Sequence, residues 1–217
     1  MFIGHFALGF AAKRVAPKAS LGVLMAATGF LDLLWPIFVA TGLERVRIDP
    51  GNTAFTPLDF EQYPISHSLA MVLVWASLFA GLYWRVSRYR RGAIVAGILV
   101  ASHWFLDVIV HRPDLPITPG WGLKAGLGLW NSVAATVIVE GLLFAAGVWI
   151  YARATRARDR IGRYGLWVFV AFLALIFAAN ASGPPPPSVR AVVIAGLAGA
   201  VVLIAWSAWF DRHRTAG

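Results

Sequence analysis

The chain has no cysteine, so disulfides and thiolate metal ligands are both excluded, and any metal site must be built from imidazole and carboxylate. Charge is also scarce, at 13% of 217 residues, with only ten Asp and Glu against nineteen Lys and Arg. Hydrophobic residues make up 59%, with ten Trp and a mean hydropathy of +0.70, more apolar side chain than one water-soluble core of this length can hide. The expected class is therefore a polytopic membrane protein. A formal charge of +9 would suit nucleic acid, but most Lys and Arg fall in short connections beside apolar runs. That pattern is a topology signal, and no nucleic-acid partner is expected.

Apolar runs of spanning length cover roughly residues 20 to 43, 66 to 84, 92 to 111, 130 to 152, 164 to 182 and 190 to 210. The fold predicted is an all-α transmembrane bundle of six spans preceded by a short N-terminal half-helix. It forms a single membrane domain, with residues 1 to 152 as the bundle holding the site and 164 to 210 as two additional spans. Basic clusters at Lys13, Arg14 and Lys18, at Arg85 to Arg91 and at Arg153 to Arg163 should be cytoplasmic, together with the tail from Asp211. The connections 44 to 65, 112 to 129 and 183 to 189 then face outward. Residues 1 to 12 lack the basic start of a signal peptide, so their retention is expected. They are too short to span, and either insert from Lys13, carrying Met1 and His5 to mid-membrane, or lie on the inner surface. The long outer connections, VRIDPGNTAFTPLDFEQYP and RPDLPITPGWGLKAGLG, should lie structured over a site.

The ionisable residues inside those runs are few. In ASHWFLDVIVH, His103, Asp107 and His111 recur every fourth residue and stack on one helical face. Asp32 and Glu140 are the other intramembrane acids, while His5 and His67 sit at the ends of apolar segments. At 1.5 Å per residue from the basic clusters, Asp32, His103 and Glu140 come out at roughly 18 to 20 Å, and His67 and Asp107 at roughly 24 to 27 Å. One slab, between mid-membrane and the outer surface, therefore collects polar groups from separate helices. Nitrogen and oxygen donors with an i, i+4 pair suit Zn²⁺ or a similar divalent ion, which would offset the desolvation of the carboxylates and lower the pKa of a coordinated water. Taken singly, each residue also has a plainer reading as a buried interhelical hydrogen bond. Trp35, Trp84, Trp130 and Trp149, near span ends, read as interface anchors.

The motifs GHFALGF around His5, FLDLLWP around Asp32, YPISHSL around His67 and SHWFLD at 102 to 107 resemble those of the predicted membrane-bound metal-dependent hydrolases of bacterial inner membranes, the YdjM-like family. The resemblance covers roughly the first 150 residues. That family is distantly similar to soluble zinc-dependent phospholipases C and related nucleases, whose ligand order the Met1 amine, His5, Asp32, His67, His103 and Asp107 follow, with His111 able to occupy the next place. At the last motif the chain departs, because Thr136 stands where a His would precede Glu140. The resemblance implies one or two zinc ions on His5, Asp32, His67, His103 and Asp107, with His111 and Glu140 as further candidates.

The leading expectation is a hydrolase of a phosphoester in a membrane lipid or lipid-linked substrate. In it His67, His103 and Asp32 hold one ion, Asp107 bridges to a second or orients water, and His5 completes the second position. His103 and Asp107 are the catalytic candidates, under outer loops carrying Asp59 and Lys124. Two other classes remain open: a transporter using Asp32, His103, Asp107 and Glu140 as a proton relay, and a non-catalytic bundle locked by metal.

Overall fold

The computed structural model describes residues 1 to 120 and 122 to 217. Helix accounts for 68% of the chain, in nine helices among the described residues. Five are long and apolar enough to cross a membrane: α5 (Leu69–Ser87), α6 (Arg90–Val110), α7 (Val133–Ala154), α8 (Arg160–Ser182) and α9 (Val189–Asp211). Their starts are set by the chain itself. Ser68, Ser132, Asp159 and Ser188 each accept a hydrogen bond from the backbone N–H three residues on, satisfying a donor that the first helical turn leaves free. Leu73, Leu78 and Leu82 of α5 lie bare on the outer face of the bundle, a surface suited to hydrocarbon and not to water.

The first apolar run departs from expectation. It forms two helices, α2 (Leu21–Thr28) and α3 (Phe30–Ala40), bent by 55° at Gly29. The bend places the Thr28 carbonyl against His103 Nδ1 at 2.6 Å, so a helix break supplies an acceptor to the neighbouring helix. Pro36, inside α3, removes one further intrahelical bond.

Helix α1 (Ile3–Val15) is packed within the bundle, against α7. The approach is close enough to need glycine. A Cβ on Gly147 would lie 2.2 Å from the carbonyl oxygen of Ala7, so the two backbones meet where no side chain intervenes. At the other end of α1, Lys13 is buried and donates to Asp211 Oδ2 at 2.6 Å and to the Ala19 carbonyl at 2.8 Å. Asp211 also accepts from the Leu21 N–H and from the Tyr151 hydroxyl, tying α1, α2, α7 and α9 together.

Beyond the helical core the all-α expectation is modified by three two-stranded pairings. Strands β1 (Arg45–Ile48) and β2 (Leu58–Gln62) make a hairpin of the first outer connection. Strands β3 (Leu115–Pro116) and β4 (Lys124–Ala125) close the second, and β5 (Thr155–Ala157) pairs with β6 (Arg214–Ala216) of the tail. The long connections thus satisfy their own backbone groups. Trp121, within the second connection, lies outside the described residues. Of the tryptophans read as anchors, Trp84 and Trp149 are about half exposed, as such a role requires. Trp35 and Trp130 are instead buried; Trp130 is turned inward onto the His111 ring.

Candidate metal centre

Helix α6 brings His103 and Asp107 to one face, as their spacing requires, and both are buried. Around Asp107 the donors and acceptors divide by carboxylate oxygen. Oδ1 takes the Met1 amine at 2.6 Å and lies 3.0 Å from His5 Nε2. Oδ2 faces His103 Nε2 at 3.1 Å and His67 Nε2 at 3.8 Å. Asp32, from α3, puts Oδ1 at 3.7 Å from His103 Nε2 and 3.8 Å from His67 Nε2. Two triplets have ligand atoms within 4.8 Å of one another: His5, His103, Asp107 and Asp32, His67, His103. His103 is common to both, and Asp107 belongs to the first, with its Oδ2 turned towards His67 of the second.

The tautomers of the two central histidines follow from their other ring nitrogen. A carbonyl can only accept, so His103 Nδ1 carries the proton donated to Thr28, and Nε2 presents a lone pair. His67 is fixed through a longer chain. Glu44 is buried, and its Oε1 accepts the N–H groups of Ile65 and Ser66, the first turn of α4 (Pro64–His67), which Pro64 opens. Its Oε2 accepts the Ser66 hydroxyl at 2.6 Å. The serine proton being committed there, Ser66 Oγ accepts from His67 Nδ1 at 2.7 Å, leaving His67 Nε2 also as a lone pair. Burial pushes the Glu44 carboxyl above its ordinary range, against the downward pull of those three hydrogen bonds.

With both rings neutral and both acids ionised, two imidazole lone pairs and two carboxylates converge with no proton among their facing atoms. His103 Nε2, though close to Asp107, has no aligned hydrogen-bond partner. Such a set of acceptors repels itself unless a cation sits within it. Their mutual distances of 3.1 to 3.8 Å also bracket the separation of roughly 3.3 to 3.5 Å between ligands on a tetrahedral ion with bonds near 2.0 to 2.2 Å. By donor type, orphaned nitrogen and spacing, the residues fit a divalent metal. His5 stacks flat on His103 at 3.6 Å between ring centroids, with its Nδ1 unpartnered.

The remaining candidates are placed elsewhere. Glu140 caps α1: Oε2 accepts the N–H of Phe2 at 2.8 Å and of Gly4 at 3.1 Å, and Oε1 has no partner. His111 does not join either triplet. Helix α6 ends at Val110, three residues before Pro113, and His111 turns with the outgoing chain, its Nδ1 3.0 Å from Asp114 Oδ1. Tyr63 donates to the same oxygen at 2.7 Å and Arg112 to the other at 3.2 Å. Burial opposes the Asp114 carboxylate, but these bonds more than offset it and hold it below its ordinary range. The second outer connection is clamped over this end of α6 by Leu127 and Gly128, which donate to the carbonyls of Val108 and His111. Gly126, at φ +155°, allows the contact, since a Cβ there would meet the Arg112 carbonyl. Asp59 pairs with Arg47 at 2.8 Å and with Arg112, and Lys124 lines a small cavity beside Asp114.

Comparison with protein-family models, with curated proteins and with solved structures finds no match. Function must therefore be argued from the cluster itself. Within it one member differs: the Asp32 side chain is 53% exposed, whereas those of His67, His103 and Asp107 are 6% or less. Structural metal sites are closed, and catalytic ones keep an open side.

Proposed function

We propose that the protein is a membrane-embedded, metal-dependent hydrolase acting on a phosphoester of a lipid or lipid-linked substrate. In this reading it crosses the bacterial cytoplasmic membrane six times, with the bent α2 and α3 pair as one crossing. The basic connections and the tail are cytoplasmic and the cluster lies in the outer half. Asp32, His67 and His103 would hold one ion, and Asp107 would bridge to a second position completed by His5. A divalent ion, zinc by its donor set, would supply charge for the phosphoryl oxygens and acidify water near neutral pH.

The chain's own groups do the rest. Thr28 and the Glu44 to Ser66 pair keep the Nδ1 protons of His103 and His67 in place, so that each neutral ring presents its Nε2 lone pair inward. Asp107 holds the Met1 amine and His5 on one oxygen and leaves the other for the centre. Asp32 leaves its side of the cluster open to an incoming group. The observation that carries the proposal is this half-open carboxylate joined to three buried ligands at membrane depth.

The test is metal analysis of detergent-purified wild type beside His103→Ala and Asp107→Ala, followed by release of phosphorylated head groups from mixed-lipid vesicles. Stoichiometric metal in the wild type alone, with head-group release, is expected. Equal metal in all three proteins would refute the site, and metal without release from any lipid would refute hydrolysis.

A further inference from the structure

The open side of Asp32 leads into a cavity of about 410 Å³, within the ~300 to 1,000 Å³ typical of ligand sites. Its walls come from α1, the α2 and α3 elbow, α8 and α9, and Asp32 is the one ionisable side chain among them. Two features besides its apolar lining set it apart from a packing gap. Trp35 lines it, is 7% exposed, and has an indole N–H with no acceptor in the protein. A buried donor of this kind costs roughly 1 to 3 kcal/mol unless something accepts from it. The floor on α9 is built of small residues: Gly196 packs against Pro36, and a Cβ on Gly199 would meet nothing within 4 Å. A trough is thus left along a helix whose neighbouring Ile194, Val201 and Val202 are exposed on the hydrocarbon-facing surface.

We propose that this cleft is a lateral lipid site, holding one acyl chain of a bilayer phospholipid along Gly196 and Gly199 with a head-group ester oxygen on the Trp35 indole N–H. The inference rests on the hydrolase reading only for its consequence, that the phosphoester is thereby delivered to the Asp32 side of the cluster. The occupant follows from the surroundings. A cavity apolar in its walls, open at bilayer depth and ending in one donor and one carboxylate matches an amphiphile with a long tail and a metal-seeking anionic head. The two C-terminal spans, outside the motif-bearing first 150 residues, acquire a role as its wall.

The experiment uses the full chain in nanodiscs containing phosphatidylglycerol with a photoactivatable diazirine on one acyl chain, with crosslinked residues mapped by mass spectrometry and zinc measured on the same samples. Labelling is expected on α9 between Val192 and Ile204 and on the α2 and α3 elbow. Gly199→Phe, whose Cβ would meet nothing within 4 Å and whose ring occupies the trough, should lower that labelling at least fivefold. Gly81→Phe, equally unobstructed but on α5, should leave it unchanged. Trp35→Phe should weaken it several-fold. Labelling of the elbow and α9 that is equal in wild type and Gly199→Phe overturns the proposal, whatever the zinc content. Cleft labelling lost in Gly199→Phe, in a protein that carries no zinc, establishes the lipid site while refuting the metal centre.

Discussion

Replacing Glu44 by Gln changes no volume, yet it should reverse a chain of hydrogen bonds ending on a metal ligand. The backbone N–H groups of Ile65 and Ser66 are fixed donors, so the Gln carbonyl must take the place of Oε1. Its NH₂ then faces Ser66 Oγ, where a carboxylate oxygen used to accept at 2.6 Å. Ser66 now accepts from the amide and donates to His67 Nδ1, which drives the imidazole proton onto Nε2, the atom facing Asp32 and Asp107. For His67 to bind metal the proton must return, leaving one buried donor unpaired at a cost of about 1 to 3 kcal/mol, or roughly 5- to 150-fold in affinity. This agrees with the ~10- to 100-fold usually lost when an outer partner of a ligating histidine is removed. The assay is zinc competition against a chromophoric chelator in detergent, with the unfolding midpoint of the metal-free protein as the control for folding. Ser66→Ala should lose a similar amount, and the double variant little more, because both act through one proton. Unchanged zinc affinity in Glu44→Gln would refute the tautomer argument outright.

Removing metal with a chelator should lower the unfolding midpoint of the wild type by several degrees and leave His103→Ala unmoved, since only a protein that binds the ion gains from it. Gly147→Ala should cost about 1 to 3 kcal/mol and also lower zinc affinity, because the new methyl lies against the Ala7 backbone and pushes away the helix that carries His5. A normal midpoint and zinc affinity would contradict that docking. Lys13→Met strands Asp211 as a buried charge and should destabilise by about 3 to 5 kcal/mol, whereas Lys13→Met with Asp211→Asn should recover part of the loss, measured by denaturant unfolding in mixed micelles. Asp114 has a folded pKa below its ordinary 3.8, so its contribution is present above that value and lost as pH falls through the folded one. Thermal unfolding followed as pH falls from neutral through the ordinary carboxylate range should therefore decline less steeply in Asp114→Asn than in wild type. Parallel slopes would contradict the stabilisation.

What the sequence made legible depends on the distance over which each relation acts. His103 and Asp107 are four residues apart on a helix, so their shared face needed only a period. Asp32 and His67 were joined to them by depth alone, a coarse coordinate that still brings the right helices level because a bilayer permits few arrangements. Glu140 shares the expected depth, but depth cannot tell a metal ligand from an acceptor for the first N–H groups of α1, and the structure gives its Oε2 to the N–H groups of Phe2 and Gly4. His111 stays outside both triplets because the stacking of every fourth residue assumes that the helix continues, and α6 ends at Val110, before Pro113. Glu44 was missed. It stands in the connection from 44 to 65, outside the apolar runs, and its partner lies 22 residues away across a hairpin. The one available signal was Pro64 at the start of a short helix, whose free N–H groups call for an anion. Trp35 was read as an anchor because it stands near a span end, where depth says nothing of which way a side chain turns.

Three functions use intramembrane acids and imidazoles, and the placement of the groups weighs differently on each. A proton relay needs stations continuing towards both surfaces. On α1 the stretch from His5 to Lys13 contains only Phe, Ala, Leu and Gly over about 12 Å. On α6 the residues between Arg91 and His103 offer only Ser102, whose hydroxyl is committed to the Leu99 carbonyl. Tyr151, the polar group of α7 on that side, is held by Asp211. Among the described residues, the cluster thus has no ladder of ionisable groups to the inner surface, which argues against a relay. A purely structural lock asks the opposite, that every ligand be enclosed, since each exposed one weakens the bundle it is meant to fasten. Asp32 fails that condition by lying half open, at a depth where an open carboxylate is expensive. Such an opening is best explained by something that enters through it, and the only wall it faces is apolar, small on one side and carrying an unsatisfied indole N–H on the other. On the proposed reading, hydrolysis of a lipid held in that cleft gives both the closed and the open ligands a reason.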